Sequence, residues 1–365
     1  MKRINYKIAV WLVLFLAFIR HTEGQDMNYS QYFSVPIYYN PAYTGISTGL
    51  RARFLYRSQW PALPVSLKSY LFTADLGDRL LPGAGGIGLI ISQDSPGFGL
   101  INNFNASLNV AARITINENL LANVGIKAGI LQRRINWEDL IFPSQLDPYL
   151  GIDKPSPYNA TEPGKRLVPD FGAGGVLQFR TPDDFMYGNA GFGIDHIFQP
   201  DVSFLSNGES VYPRKFTGQF EITFNTSSKG FGNYSASSSG GDDGWRISTG
   251  AIYQNQHNLG ALQIGLTVLK YNIYVGTWYK NTFGQNTNSA LAVLGGYRYN
   301  FDGNISVRAM YSYDIQISRP LQGTGGAHEI SLVIEMGDVG LFSGGGGGGG
   351  YGGSSRGAFE CPTFY

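Results

Sequence analysis

Of 365 residues, 50 are glycine, 14% are aromatic and only 15% are charged, with a formal net charge of +1. A balance this close to neutral argues against a nucleic-acid partner. A single cysteine, Cys361, excludes a disulfide framework and a cysteine-based metal cluster.

The chain opens with Lys2, Arg3 and Lys7, then an apolar run from Ile8 to Ile19, then Thr22 and Gly24. Charged start, short apolar stretch and small-x-small cut are the order of a secretory signal, so residues 1–24 are expected to be a signal peptide cleaved before Gln25. The apolar run is too short for a membrane anchor, which needs about 18 apolar residues. Removing residues 1–24 leaves 23 basic against 25 acidic residues, a mature charge of −2. Residues 25–49, rich in Tyr and Asn and holding Pro36 and Pro41, are expected to tuck into or under the domain that begins at residue 50.

From residue 50 the pattern has a period of two. In Asn103–Arg113, one face reads Phe104, Ala106, Leu108, Val110, Ala112 and the other Asn103, Asn105, Ser107, Asn109, Arg113. Residues 214–225 and 304–315 repeat it. Side chains alternate across a strand, so each segment has one oily and one wet face. Fourteen strands are expected, at about 50–57, 66–76, 86–92, 103–113, 119–132, 170–179, 187–196, 214–225, 245–254, 261–270, 272–281, 289–300, 304–314 and 328–336. An even number of strands of this length, with Arg113, Lys127, Glu221, Arg246 and Arg308 on wet faces, predicts an all-β fold: a transmembrane antiparallel barrel over 50–336. A soluble sandwich would have shorter strands.

Parity then orients the loops. Thr115–Glu118, Thr181–Asp184, Tyr271 and Phe301–Gly303 fall on the periplasmic side, where short turns belong, and the last of these holds an Asp-Gly hairpin signal. The long Arg133–Pro169 and 197–213 connections fall outside. The Ser/Gly-rich stretch 226–244 breaks the pattern and suggests a miscounted strand. Residues 337–365 include seven glycines, Gly344–Gly350, and are expected to form a flexible periplasmic tail.

Sequences that elsewhere carry chemistry do not fit here. Gly83–Gly88 matches G-x-G-x-x-G, but dinucleotide binding needs a helix after it, and Ile87–Ser92 reads as strand. Asp195-His196 and His328-Glu329 are neighbours, and neighbours on a strand point to opposite faces. No catalytic residue, cofactor or metal is expected. The Arg133–Pro169 loop carries Trp137, Phe142, Tyr149 and Tyr158 among six prolines. Trp137, Phe142 and Tyr149 are the candidate partner-binding residues, because exposed aromatics cost little entropy to order. A loop folded back as a lid is the other reading.

The mature start, Gln25-Asp26…Ser30-Gln31-Tyr32…Asn40-Pro41-Ala42-Tyr43-Thr44-Gly45, resembles the opening of the PorP/SprF family of type IX secretion membrane proteins. Tyr56-Arg57-Ser58-Gln59-Trp60-Pro61, Tyr274–Tyr279, Tyr311-Ser312-Tyr313-Asp314 and Gly326–Leu332 extend the likeness over residues 25–336. The resemblance implies an outer-membrane barrel shaped like long-chain fatty-acid channels, working in type IX secretion and, in some species, gliding motility. It also implies a large secreted adhesin with a C-terminal sorting domain as partner, beside other secretion components and outer-membrane lipid. The shared barrel shape leaves a channel for hydrophobic small molecules as the alternative function. Two features depart from the family: Pro36 follows Val35, and the Gly-rich tail has no counterpart.

Overall fold

In the computed structural model, fourteen antiparallel strands close into one barrel. The structure describes residues 26–337 except 48, 65, 78–84, 96, 98–100, 137–139, 148, 150, 154, 156–163, 184, 205–209, 227–243, 285–286 and 302–304. The signal peptide, the tail beyond Gly337 and the Asp302-Gly303 turn therefore lie outside the described residues. So do Gly83 and Ala84, whereas Gly86–Gly88 run in a strand with no helix after them.

The wall strands are β1 (Gly49–Gln59), β2 (Leu67–Gly77), β3 (Gly86–Ser95), β4 (Ile101–Asn117), β5 (Leu120–Ile135), β8 (Lys165–Arg180), β9 (Met186–Asp195), β10 (Lys215–Asn225), β11 (Trp245–Gln256), β12 (Leu259–Lys270), β13 (Ile273–Phe283), β14 (Asn288–Phe301), β15 (Ile305–Gln316) and β16 (Ala327–Met336). Each expected strand is present. Each pairs with its neighbour in chain order, and β1 pairs with β16 to close the ring. Closure gives every strand two hydrogen-bonded neighbours and leaves no edge. The count of fourteen stands, so no miscounted strand explains 226–244, which connects β10 to β11.

Alternation sorts the side chains. On β10, Lys215, Thr217, Gln219, Glu221 and Thr223 are buried inside, while Phe216 and Phe220 are exposed on the outer face. Arg57 on β1, Lys127 on β5, and Asp314 and Glu329 on β15 and β16 are likewise inside. Outside, Leu108, Val110, Ile126, Ile264 and Val275 are exposed, the apolar band of a barrel in lipid.

Two boundaries differ from expectation. β5 and β8 continue their pairing up to Arg134↔Lys165, so the outer connection is 136–164 and Arg133 and Pro169 belong to strands. Pro169 stands opposite Ile130 in this pairing. Within the connection a small hairpin, β6 (Leu146–Asp147) with β7 (Gly151–Ile152), also forms. Two-residue pairings are too short to show as alternation.

Residues 26–46 do not join the wall. They pass through the lumen as short turns, Tyr32–Ser34, Pro36–Tyr39 and Pro41–Tyr43. From Tyr29 to Ile46 every side chain except Tyr38 is buried. Tyr29, Tyr32, Phe33, Ile37, Tyr39 and Tyr43 form one apolar cluster with the inward residues Leu55, Leu71, Ile252, Tyr274 and Trp278. Burying each large side chain is worth about 1.5–3 kcal/mol. Proline at the first position of two of these turns fixes backbone angles that a segment without a sheet partner must otherwise hold by packing.

The wall makes room for the segment with glycine. A Cβ at Gly125 on β5 would lie 2.5 Å from the Pro41 carbonyl carbon and 2.6 Å from the Ala42 nitrogen. Gly125→Val should therefore push residues 41–43 off the wall, costing about 1–3 kcal/mol. The expected result is a barrel that still folds on a detergent gel but loses its heat-resistant band at lower temperature. An unchanged transition would show that the segment does not seat against β5.

Candidate functional site

The lumenal segment is held at three levels. Asp26 lies at the mouth where β9 ends and β10 begins. Its carboxylate accepts from Lys215 Nζ at 2.5 Å and from the Tyr212 hydroxyl at 2.6 Å, with His196 Nε2 at 3.1 Å. Its backbone N–H donates to Gln256 Oε1 at 3.0 Å. His196 Nδ1 lies 2.8 Å from Asp170, Lys127 pairs with Asp195, and Lys215 reaches Asp195 at 3.4 Å. Three carboxylates thus face two lysines and one histidine. Burial alone would raise the Asp26 pKa, but Lys215 and His196 hold it well below the usual carboxylate range. Burial would lower that of His196, but Asp26 and Asp170 push it up to about 9.

His196 corrects the sequence reading. Strand alternation should place Asp195 and His196 on opposite faces, yet both are buried in one network. His196 lies just past the end of β9 with φ of 55°. That left-handed turn swings the next side chain back toward the lumen, so the two neighbours act together.

Deeper in, Ser30 and Gln31 bridge the seam between the first and last strands. Their backbone N–H groups donate to the two Glu329 oxygens at 2.6 and 2.9 Å. The Ser30 hydroxyl meets Asp314 at 2.7 Å, and Gln31 Nε2 donates to Ser312 at 3.0 Å while its Oε1 accepts from Ser331 at 2.6 Å. Arg57 on β1 reaches both Asp314, at 3.0 Å, and Glu329, and Lys280 reaches Asp314 at 3.1 Å. Two cations here balance two anions. Below them, Phe33 stacks on Trp278 with centroids 5.7 Å apart.

Further along the segment, the Asn40 side chain accepts from Ala42 N–H at 2.9 Å and donates to the Gly175 carbonyl at 3.1 Å. The Tyr43 hydroxyl donates to Asn189 at 2.6 Å. Gly45 N–H donates to Asp75 at 3.0 Å, and Asp75 also pairs with Arg53 and Arg51. Arg113 Nη2 donates to the Gly45 carbonyl at 3.1 Å and to that of Ile46.

The family-like blocks meet here. Asn40–Gly45, Arg57, Trp278, Asp314 and Glu329 come from five separate stretches and converge on one lumenal segment. The PorP/SprF family model matches residues 21–334, the whole barrel and its lumenal segment. The chain belongs to the PorP/SprF family of type IX secretion system membrane proteins. With the barrel fold, membership places it in the outer membrane, crossing by its strands.

Solved outer-membrane barrels are similar to the chain only at low identity. The Pseudomonas putida toluene transporter TodX aligns with a TM-score of 0.44 and 10% identity, over 86% of this chain and 94% of TodX. The Ralstonia pickettii toluene transporter TbuX aligns at 0.39 and 11%, over 82% and 92%. CdiB from Acinetobacter baumannii aligns at 0.42 and 8%, over 79% of this chain and 60% of CdiB. No curated protein sequence matches the chain.

The loop aromatics singled out from sequence lie elsewhere, on the outer connection 136–164. Phe142 is half-buried at the start of the turn Pro143–Gln145, and Tyr149, at the turn between β6 and β7, is 95% exposed. Trp137 lies outside the described residues. Sequence reasoning missed Asp26, Ser30, Gln31, Lys215 and His196 as one system. For Asp26, Ser30 and Gln31 the local signal was the polar and Tyr-rich sequence before the first strand, and for Lys215 it was strand alternation.

The outer anchor should titrate. His196 has a folded pKa of about 9 against an ordinary 6.5, so its contribution is full below 6.5 and lost as pH rises through about 9. Heat stability of the folded band should fall between about pH 7 and about pH 10. His196→Gln should flatten that dependence and cost about 3 kcal/mol at neutral pH, because it leaves buried carboxylates short of a partner. An equally steep pH dependence in the variant would place the titrating group elsewhere.

Proposed function

We propose that this barrel captures a large secreted adhesin by its C-terminal sorting domain, and supports the export and surface anchoring of that adhesin. Binding, with no bond-making chemistry, is its role. The observation that carries the reading is the occupied lumen: residues 26–46 fill it from the outer to the inner mouth, held by ion pairs and an apolar cluster. A wall whose interior is committed to its own chain leaves the outer surface for partners.

That surface offers a suitable face. On the 136–164 connection, Ile141, Leu146, Tyr149 and Ile152 are each more than half exposed. Apolar groups gathered on a long outer loop favour protein contact. Trp137, Phe142 and Tyr149 on the same connection are the proposed anchors. A channel for hydrophobic small molecules would need a continuous apolar path, whereas the lumen holds buried Arg, Lys, Asp and Glu.

Deleting the gene should remove one large adhesin from the cell surface while other type IX cargo is still exported, read by surface proteomics. The adhesin's sorting domain should co-purify with the barrel in mild detergent. Replacing Trp137, Phe142 and Tyr149 with Ala should weaken that complex, since buried aromatic anchors cost about 2 kcal/mol or more when truncated. Normal surface adhesin with impaired uptake of hydrophobic small molecules would overturn the reading in favour of a channel.

A further inference from the structure

The outward face of β15, β16, β1, β2 and β3 is graded in a way that contact with a secreted partner does not use. Strand register aligns its side chains in rows. The rows Ile305–Met336–Leu50–Leu76–Ile87, Val307–Ile334–Ala52–Ala74–Leu89 and Ala309–Leu332–Phe54–Phe72–Ile91 are apolar. Next comes Tyr311–Ile330–Tyr56–Tyr70–Gln93, then Tyr313–His328–Ser58–Lys68–Ser95 at the outer edge. Eight residues separate Leu50 from Ser58, so at about 3.4 Å per residue and a tilt of about 40° the first and last rows lie about 20 Å apart along the membrane normal. With that tilt a row climbs about 3 Å per strand, so Lys68 and His328 stand within about 3 Å in height of Ser58, where the apolar band gives way to lipid headgroups.

We infer that this row binds the phosphate headgroup of an anionic lipid in the outer leaflet. Lys68 is exposed, and Ser58 stands between it and His328 in register. Neighbouring strands are about 4.8 Å apart, so Lys68 and His328 flank a gap of about 10 Å with a hydroxyl in its centre. The Tyr311 hydroxyl lies 2.7 Å from His328 Nδ1. With that hydroxyl donating, the ring proton sits on Nε2, which becomes a second donor beside the lysine ammonium; the imidazolium form would donate from Nε2 as well. Tyr56 and Tyr70, with centroids 5.1 Å apart, lie one row below, at the level of the upper acyl chain.

Charge on the loops separates this side from the other. The three outer connections above these strands, 60–66, 96–100 and 317–326, contain no Asp or Glu and one cation, Arg319. The connections 136–164 and 197–214 together carry Glu138, Asp139, Asp147, Asp153, Glu162, Asp201 and Glu209, against the cations Lys154 and Arg214. An anionic headgroup is repelled from the second side and met by Lys68, His328 and Arg319 on the first.

Native mass spectrometry of the full mature barrel in non-ionic detergent, titrated with phosphatidic acid or phosphatidylcholine, tests this. Wild-type protein should retain phosphatidic acid about tenfold better than phosphatidylcholine. Lys68→Gln should lose about fivefold, the effect of one cation near an anionic lipid, and His328→Ala should lose a smaller factor, the effect of one donor. Tyr311→Phe should lose part of the His328 effect, and Lys270→Gln, an outward lysine at the inner end, should change nothing. The heat-modifiable gel band verifies folding of each variant. Equal retention of the two lipids, or equal loss in Lys270→Gln, would overturn the site. Displacement of phosphatidic acid by equimolar inorganic phosphate would overturn its assignment to a lipid.

Discussion

A charge taken out of water needs an opposite charge or it will not stay ionised. In this barrel that constraint is concentrated in the lumen. The wall satisfies its own backbone by closure, and the outer face is apolar, so the polar half of every strand points inward. Residues 26–46 complete the inward set. Without Asp26, the cations Lys127, Lys215 and His196 would lose one of the carboxylates they pair with, leaving the ion pairs to Asp170 and Asp195. The lumenal segment and the wall are therefore parts of one electrostatic unit rather than a container and its contents.

The same unit ties the seam. A barrel closes when its last strand finds its first, and here Arg57 and Glu329, register partners on β1 and β16, form an ion pair. Ser30 and Gln31 donate to the same Glu329. The segment that precedes β1 thus grips the join made by β16. Asn40–Gly45, Arg57, Asp314 and Glu329, scattered along the chain, each contribute to that interior.

With the interior committed, the outer surface divides into two sides. The β5–β8 side is built up by longer strands, and Val202 and Tyr212 of the β9–β10 connection pack on Leu131 and Val168 there. On the 136–164 connection of the same side, Ile141, Leu146, Tyr149 and Ile152 are exposed. The β15–β3 side has short connections free of acids and a polar outer row. Protein contact on one side and lipid contact on the other are compatible in a single barrel because the two sides differ in both height and charge.

Strand number, strand faces and the ring of fourteen were legible in the sequence, because alternation is a property of one residue and its immediate neighbours. Lys215, Glu221 and Arg308 could be placed inside from residues two positions away. Strand ends were less legible: Arg133 and Pro169 read as loop, yet their pairing continues because a partner strand is present to receive it. His196 was separated from Asp195 for a related reason, since a single left-handed residue cancels the alternation that put the two on opposite faces. What tertiary structure alone decided is which inward side chains meet. Ser30 with Glu329, and Asp26 with Lys215, are separated by most of the barrel in sequence. Only the closed ring brings them within hydrogen-bonding distance, because closure fixes the lumen's width and so selects the partners that can span it.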